Sequence, residues 1–143
     1  MQFKNFKARR VVITVAKKSE VAEYKRQASC YHETRTDRLN IFDSPDVHFL
    51  AVKDEEGKQI GLMRVDEIDS NTAQIAGISI PNKAWRDRYG TEVVHQFLKH
   101  CKTDNICKKL YLKDGNTILD AYKKERPNFF KYSCSPIEVC KVS

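Results

Sequence analysis

The stretch from Thr72 to Ile80 constrains the fold of this chain more than any other. Its apolar residues start on one parity, at Ala73 and Ile75, and continue on the opposite parity, at Ile78 and Ile80. Successive side chains of a strand point to opposite faces, so an uninterrupted strand would send one set to each side. One extra residue between the sets returns both to a single face, and Ala76-Gly77 lies where it must be inserted. The pattern predicts a β-bulge there. A straight strand buried on both faces is the other reading, because such strands need no alternation.

The flanking segments place that strand in a sheet. Val11 to Val15 is a β-branched run and reads as a first strand. Val47 to Val52 and Gln59 to Val65 read as a hairpin around the turn residues Asp54-Glu55-Glu56-Gly57, and Asp69-Ser70-Asn71 turns the chain into the bulged strand. Between the first two strands, Lys17 to Tyr31 is helix-compatible, with Val21, Tyr24 and Ala28 at helical spacing and Ser19 as expected N-cap. Ser44-Pro45 breaks any helix that follows. Past Ile80 the expectation is a loop from Pro81 to Tyr89, then a helix opened by Gly90-Thr91-Glu92 with Val93, Val94, Phe97, Leu98 and Cys101 on one face. Lys108 to Lys113 reads as a strand, Asp114-Gly115-Asn116 as a turn, and Ile118, Leu119 and Tyr122 as the apolar face of a helix ending before Pro127. Phe129 to Val142 suits a closing strand. The order predicts one α/β domain over residues 1–143 with a mixed (α+β) sheet.

Composition narrows the class. With 41% hydrophobic and 31% charged residues, the chain is too apolar for disorder, and no apolar run approaches membrane-spanning length. No secretory signal opens it, so a cytoplasmic location is expected. The five cysteines, Cys30, Cys101, Cys107, Cys134 and Cys140, are odd in number and lack the paired spacing of a zinc site, so they read as reduced thiols without a metal. The net charge of +7 is uneven, with an acidic block over residues 41–72 between basic flanks. That interruption argues against a nucleic-acid-tracking face and for a small polyanionic ligand near the basic residues 73–113.

One segment suits such a ligand. A helix N-terminus presents unpaired N–H groups and the positive end of the peptide dipoles. Gly90 lets backbone approach a phosphate closely, while Arg86, Arg88 and Lys83 add cations just upstream. A solvated basic turn would have the same composition.

From about Val11 to Tyr132 the order of elements resembles the GNAT superfamily of N-acetyltransferases. That family marks its pyrophosphate loop with Gln or Arg, two variable residues, Gly, one variable residue, then Gly or Ala. The equivalent stretch here is Trp85-Arg86-Asp87-Arg88-Tyr89-Gly90, followed by Thr91-Glu92, which also resembles the family's helix opening. Gly90 matches; Trp85 and Arg88 replace the Gln or Arg and the first glycine. Arg88 brings a side chain where the family brings bare backbone, so it either offers a guanidinium fork to phosphate or occupies the site.

The resemblance implies an acyl-CoA N-acyltransferase fold with a bulged central strand, and an acetyl group moved from acetyl-CoA to a primary amine. It implies cofactor contacts from Ile78, Ser79 and Ile80 on the bulged strand, from Arg86, Asp87, Arg88, Tyr89, Gly90 and Thr91 in the loop, and from Asn116. Tyr122 would return a proton to the leaving thiolate. Glu67 and Asp66, expected near the cleft, and His48 and His95 are the candidates for a general base. The acidic block favours an amine-bearing acceptor. Acetyl-CoA or CoA and that acceptor are the expected partners, with a homodimer left open. A catalytically impaired binding or regulatory module, and more remotely an RNA-associated domain, are the alternatives.

Overall fold

The computed structural model describes residues 1–17, 19–22, 24, 45–125 and 137–138. Seven strands form one sheet in sequence order: β1 (Phe6–Ala8), β2 (Val11–Val15), β3 (Val47–Lys53), β4 (Gln59–Asp69), β5 (Thr72–Ser79), β6 (Lys109–Leu112) and β7 (Ile137–Glu138). Every neighbouring pair is antiparallel except β5 and β6, which run parallel. A parallel pair needs a crossover, and helix α1 (Lys83–Thr103) supplies it. Helix α2 (Thr117–Glu125) follows β6.

The β3–β4 hairpin is held by the Asp54 side chain, which accepts from the amides of Glu56 at 3.0 Å and Lys58 at 2.9 Å. Gly57 takes a φ of 84° in that turn, which a residue with a Cβ adopts only under strain. Asp69 holds the β4–β5 turn in the same way, accepting from the Asn71 amide at 2.8 Å.

The bulge falls where the parity switch puts it. Arg64 of β4 faces Gly77 while the next residue, Val65, faces Ile75, so Ala76 is the extra residue. Ala73, Ile75, Ile78 and Ile80 are consequently all buried in one core, with α1 and α2. The opposite face of β5 is covered as well, at Thr72, Ala76 and Ser79. The bulge reading therefore holds and the straight strand does not, although much of the strand's other face is covered too.

Helix α1 lays Val93, Val94, Phe97 and Cys101 on the sheet, each fully buried. A side chain the size of Phe97 contributes about 2–3 kcal/mol by leaving water. On the other face of the sheet, residues 19–22 and 24 are helical, and Val21 and Tyr24 pack on Phe49 and Leu62. That helix starts earlier than its expected cap at Ser19. The Val21 amide donates to the Lys17 carbonyl at 3.1 Å, and Glu20 reaches back to the Lys17 amide at 3.2 Å, as an acidic residue does at the third helical position. Ala28 and the segment through residue 44 lie outside the described residues, as do Cys30, Cys134 and Cys140.

Candidate active site

The bulge changes what lies beside β5. Up to Ile75 the strand pairs with β6, and the last link is the Lys113 amide donating to the Ile75 carbonyl at 3.2 Å. Beyond it β6 has ended, while β5 continues to Ser79 with β4 on its other side. Among the described residues, the backbone edge of residues 76–79 thus has no strand beside it on this side, and α2 packs against β5. This is the edge at which Ile78, Ser79 and Ile80 were expected to meet a ligand.

That edge is occupied by the protein itself. Asn116 is buried, and its Nδ2 donates to the Ile78 carbonyl at 3.1 Å. Its Oδ1 accepts from the Leu119 amide at 3.2 Å, capping α2. One side chain therefore ties the open strand to the start of a helix. Ile78 and Ile80 are each only 1% exposed, so a ligand laid along this edge has to displace the Asn116 amide. The turn-asparagine reading of Asn116 is realised in this cap.

The expected loop from Pro81 to Tyr89 is not a loop, and this corrects the sequence reading. Helix α1 begins at Lys83, capped by Asn82, whose Oδ1 accepts from the Trp85 amide at 3.1 Å. The Arg86 amide already donates to the Asn82 carbonyl at 2.9 Å. Arg86, Asp87, Arg88, Tyr89, Gly90 and Thr91 are therefore helical, and the amides from Asp87 onward point along the axis into the helix's own hydrogen bonds. The cause is local. Residues 83–89 contain no glycine or proline, and each glycine replaced by a helix former removes about 1 kcal/mol of helix penalty. The signal was present in Asn82, a preferred cap directly after Pro81.

Gly90 has a different reason to lack a side chain. A Cβ there would meet Ile118 of α2 at 3.3 Å, so the residue lets the two helices approach. Counting back along α1, Arg86 and Lys83 lie on the same stripe as Gly90, whereas Arg88 lies roughly opposite. The Arg88 guanidinium sits over the Tyr89 ring, 5.7 Å from its centroid. Trp85 is partly buried against the core, with its ring 5.3 Å from that of Tyr89, which makes it a packing residue.

Farther along the same helix pair, Tyr122 of α2 is 1% exposed and its hydroxyl lies 3.1 Å from Nδ1 of His95 on α1. The sequence offered these two residues for separate roles; the structure brings them together.

The remaining base candidates are elsewhere. An antiparallel hairpin sets the end of β4 beside the start of β5, so Asp66 and Glu67 face Gln74 and Ala73. Glu67 is four residues along β4 from Met63, the partner of Ile78, a separation of about 13 Å. Val65 faces Ile75, where β6 departs, so Asp66 and Glu67 follow that point by one and two residues along β4. Asp66 accepts from Arg64 Nε at 2.7 Å and Nη2 at 3.1 Å. Glu67 binds the Met1 ammonium and His48 Nε2, each at 2.8 Å. Burial raises the Glu67 pKa, but the hydrogen bonds from Met1 and His48 outweigh it and hold the carboxyl below its ordinary range. Among the described residues no group of three or more His, Cys, Asp or Glu side chains is placed to hold a metal ion.

The family model for the acetyltransferase (GNAT) family matches residues 15–124. The chain belongs to the GNAT family. No curated protein sequence matches it. Among solved structures, a spermidine N-acetyltransferase from Vibrio cholerae, in complex with CoA and spermine, superposes with a TM-score of 0.55 at 14% identity, covering 73% of this chain and 70% of that one. The IAA acetyltransferase from Bacillus cereus ATCC 14579 gives 0.59 at 16% identity over 80% and 74% of the two chains. A putative acetyltransferase from Sphaerobacter thermophilus DSM 20745 gives 0.56 at 13% identity over 89% and 83%. At such identities the likeness is one of fold. Within the GNAT fold, this chain keeps the bulged strand and its diverging parallel neighbour, and builds the following segment as helix.

Proposed function

We propose that residues 1–143 form a single-domain, cytoplasmic N-acetyltransferase that moves an acetyl group from acetyl-CoA to a primary amine. The observation that carries this reading is the Ala76 bulge with β6 departing at Ile75, which leaves a strand edge for an extended thioester arm. The fit to CoA is divided. The strand edge suits the arm once Asn116 moves aside, but helical amides do not suit a diphosphate. Its charge falls instead to the side chains of Lys83 and Arg86, which share the stripe facing α2.

Acetyl-CoA supplies an acyl group already activated as a thioester. The chain's part is to orient it along β5, to hold the developing oxyanion with a backbone N–H just past the bulge, and to protonate the leaving sulfur. Tyr122 is the proton source in this proposal, with His95 as its hydrogen-bond partner. The acceptor is an amine, and two of the candidates for its general base, Asp66 and Glu67, are committed to Arg64, Met1 and His48.

Isothermal titration with acetyl-CoA and CoA tests the reading, together with thiol release in the presence of a polyamine and amine panel. Binding is expected, with Arg86→Gln weakening it about tenfold through loss of a charge-assisted phosphate contact. Arg88→Gly should leave affinity unchanged. Absence of binding at millimolar ligand would remove the enzyme. The second reading, a GNAT module that has given up catalysis, is favoured by the helical turn at residues 83–89 and by Asn116 on the Ile78 carbonyl. CoA binding without thiol release across the panel would select it.

A further inference from the structure

Cys101 and Cys107 are unbridged thiols in the same core, 0% and 3% exposed. Cys101 lies in the last turn of α1 and Cys107 just before β6. The backbone between them is folded back on itself. Asp104 donates its amide to the His100 carbonyl at 3.0 Å, Asn105 takes a φ of 53°, and the Ile106 amide donates to the Cys101 carbonyl at 2.9 Å. This turn folds the segment carrying Cys107 back onto the end of α1, and both thiols lie in the same core. A disulfide needs Cα atoms within about 7 Å and side-chain rotation to align the sulfurs, and a reverse turn of six residues suits both.

We propose that Cys101 and Cys107 are a redox modification site, closing to an intramolecular disulfide when a peroxide oxidises Cys107. The choice of Cys107 as the first thiol to react follows from its place, since Cys101 is 0% exposed inside α1 and Cys107, at 3%, lies in the connection after it. The Cys101 hydrogen bond also favours the thiolate, holding the Cys107 pKa below its ordinary value against the opposing effect of burial. The Cys107 thiolate attacks one peroxide oxygen, the O–O bond breaks, and the product is a sulfenic acid with release of water or an alcohol. The Cys101 sulfur then attacks the sulfenic sulfur, its proton leaves with the departing hydroxyl as water, and the S–S bond forms. Two thiols lose two electrons and the peroxide takes them. The bond would staple the end of α1 to the start of β6, fixing the crossover that links the two diverging strands. A thiol reductant reverses it.

The test uses the full chain with Cys30, Cys134 and Cys140 changed to serine, treated with hydrogen peroxide and then denatured in a maleimide reagent. The expected product has lost two hydrogens, takes up no maleimide, yields a cross-linked peptide joining Cys101 to Cys107, and melts about 5 °C higher than the reduced form. Dithiothreitol restores both thiols. In the same background Cys101→Ser should trap Cys107 as a dimedone adduct, while Cys107→Ser leaves Cys101 unmodified over the same period. Two alkylatable thiols after oxidation, or separate sulfinic acids without a cross-link, would overturn the site. Peptide mapping of the unmutated chain decides the matter where a variant does not fold: a Cys101–Cys107 cross-link supports the site and any other pairing removes it.

Discussion

The two ends of α1 are built on different terms. At the C-terminal end, Phe97 and Cys101 are fully buried, Phe3 stacks on Phe97 at 5.8 Å, and Phe6 stacks on His100 at 5.0 Å. The chain's first residues are thereby fastened to the helix, and Lys4 adds a backbone N–H to His100 Nε2 at 3.3 Å. At the N-terminal end Lys83, Ala84, Asp87 and Arg88 are exposed, and the turns are held by the Asn82 cap and by Trp85, Tyr89 and Gly90. One end carries the fold and the other rests on a local cap and a few ring contacts.

The largest expected effect comes from Gly90, where α1 approaches Ile118 of α2. Contacts at 3.3 Å to Ile118 Cγ1 and Cγ2 and 3.4 Å to Cδ1 leave room for a methyl only if Ile118 gives slightly. Gly90→Val adds two more carbons and should cost about 1–3 kcal/mol by overpacking, read as a lower urea midpoint. Gly90→Ala should stay within about 1 kcal/mol of the parent, since helix propensity offsets the tight contact. If Gly90 instead lay in a phosphate-binding loop, both variants would keep their stability and lose CoA.

A smaller effect tests where the helix starts. Asn82→Ala removes the acceptor for the Trp85 amide and should cost about 1 kcal/mol. A helix that began at Gly90 would make Asn82 a loop residue, and the same substitution would leave the urea midpoint in place. Circular dichroism gives a second reading, because fraying of residues 83–89 lowers the helical signal.

How much of this was legible in the sequence follows the same division. The bulge was readable because side-chain parity in a strand is strict, so two offset apolar sets admit few arrangements. The C-terminal half of α1 was readable because Val93, Val94, Phe97 and Cys101 repeat at helical spacing. Residues 83–89 carry no such stripe; their helix rests on a cap and on the absence of glycine, and a charged stretch before Gly90 has the composition of a loop. The bonds that commit Glu67 to Met1 and His48 were not legible, because they join residues far apart in the chain. The Asn116 bond to Ile78 and the His95–Tyr122 pair join residues far apart in the chain, and no local pattern announces them.

The smallest effect concerns the buried end and depends on pH. His100 accepts from the Lys4 amide through Nε2, and its Nδ1 lies 3.1 Å from Asp104 Oδ2, an arrangement that suits the neutral ring with its proton on Nδ1. Burial lowers the His100 pKa, Asp104 partly opposes this, and Lys4 lowers it further, so the net direction is down from 6.5. The unfolded chain therefore binds this proton at a higher pH than the folded one does. Stability from His100 is complete above about pH 6.5 and is lost as pH falls from there through the folded pKa, with a slope of at most about 1.4 kcal/mol per pH unit. Urea midpoints at pH 7.5 and 5.5 measure the loss, and His100→Gln, which can still accept from Lys4, should flatten the difference. The N-terminal turns of α1 contain no histidine, so binding at Arg86 should stay level over the same range. Equal pH dependence in the parent and in His100→Gln would show that the clamp on the buried end does not rest on a neutral ring.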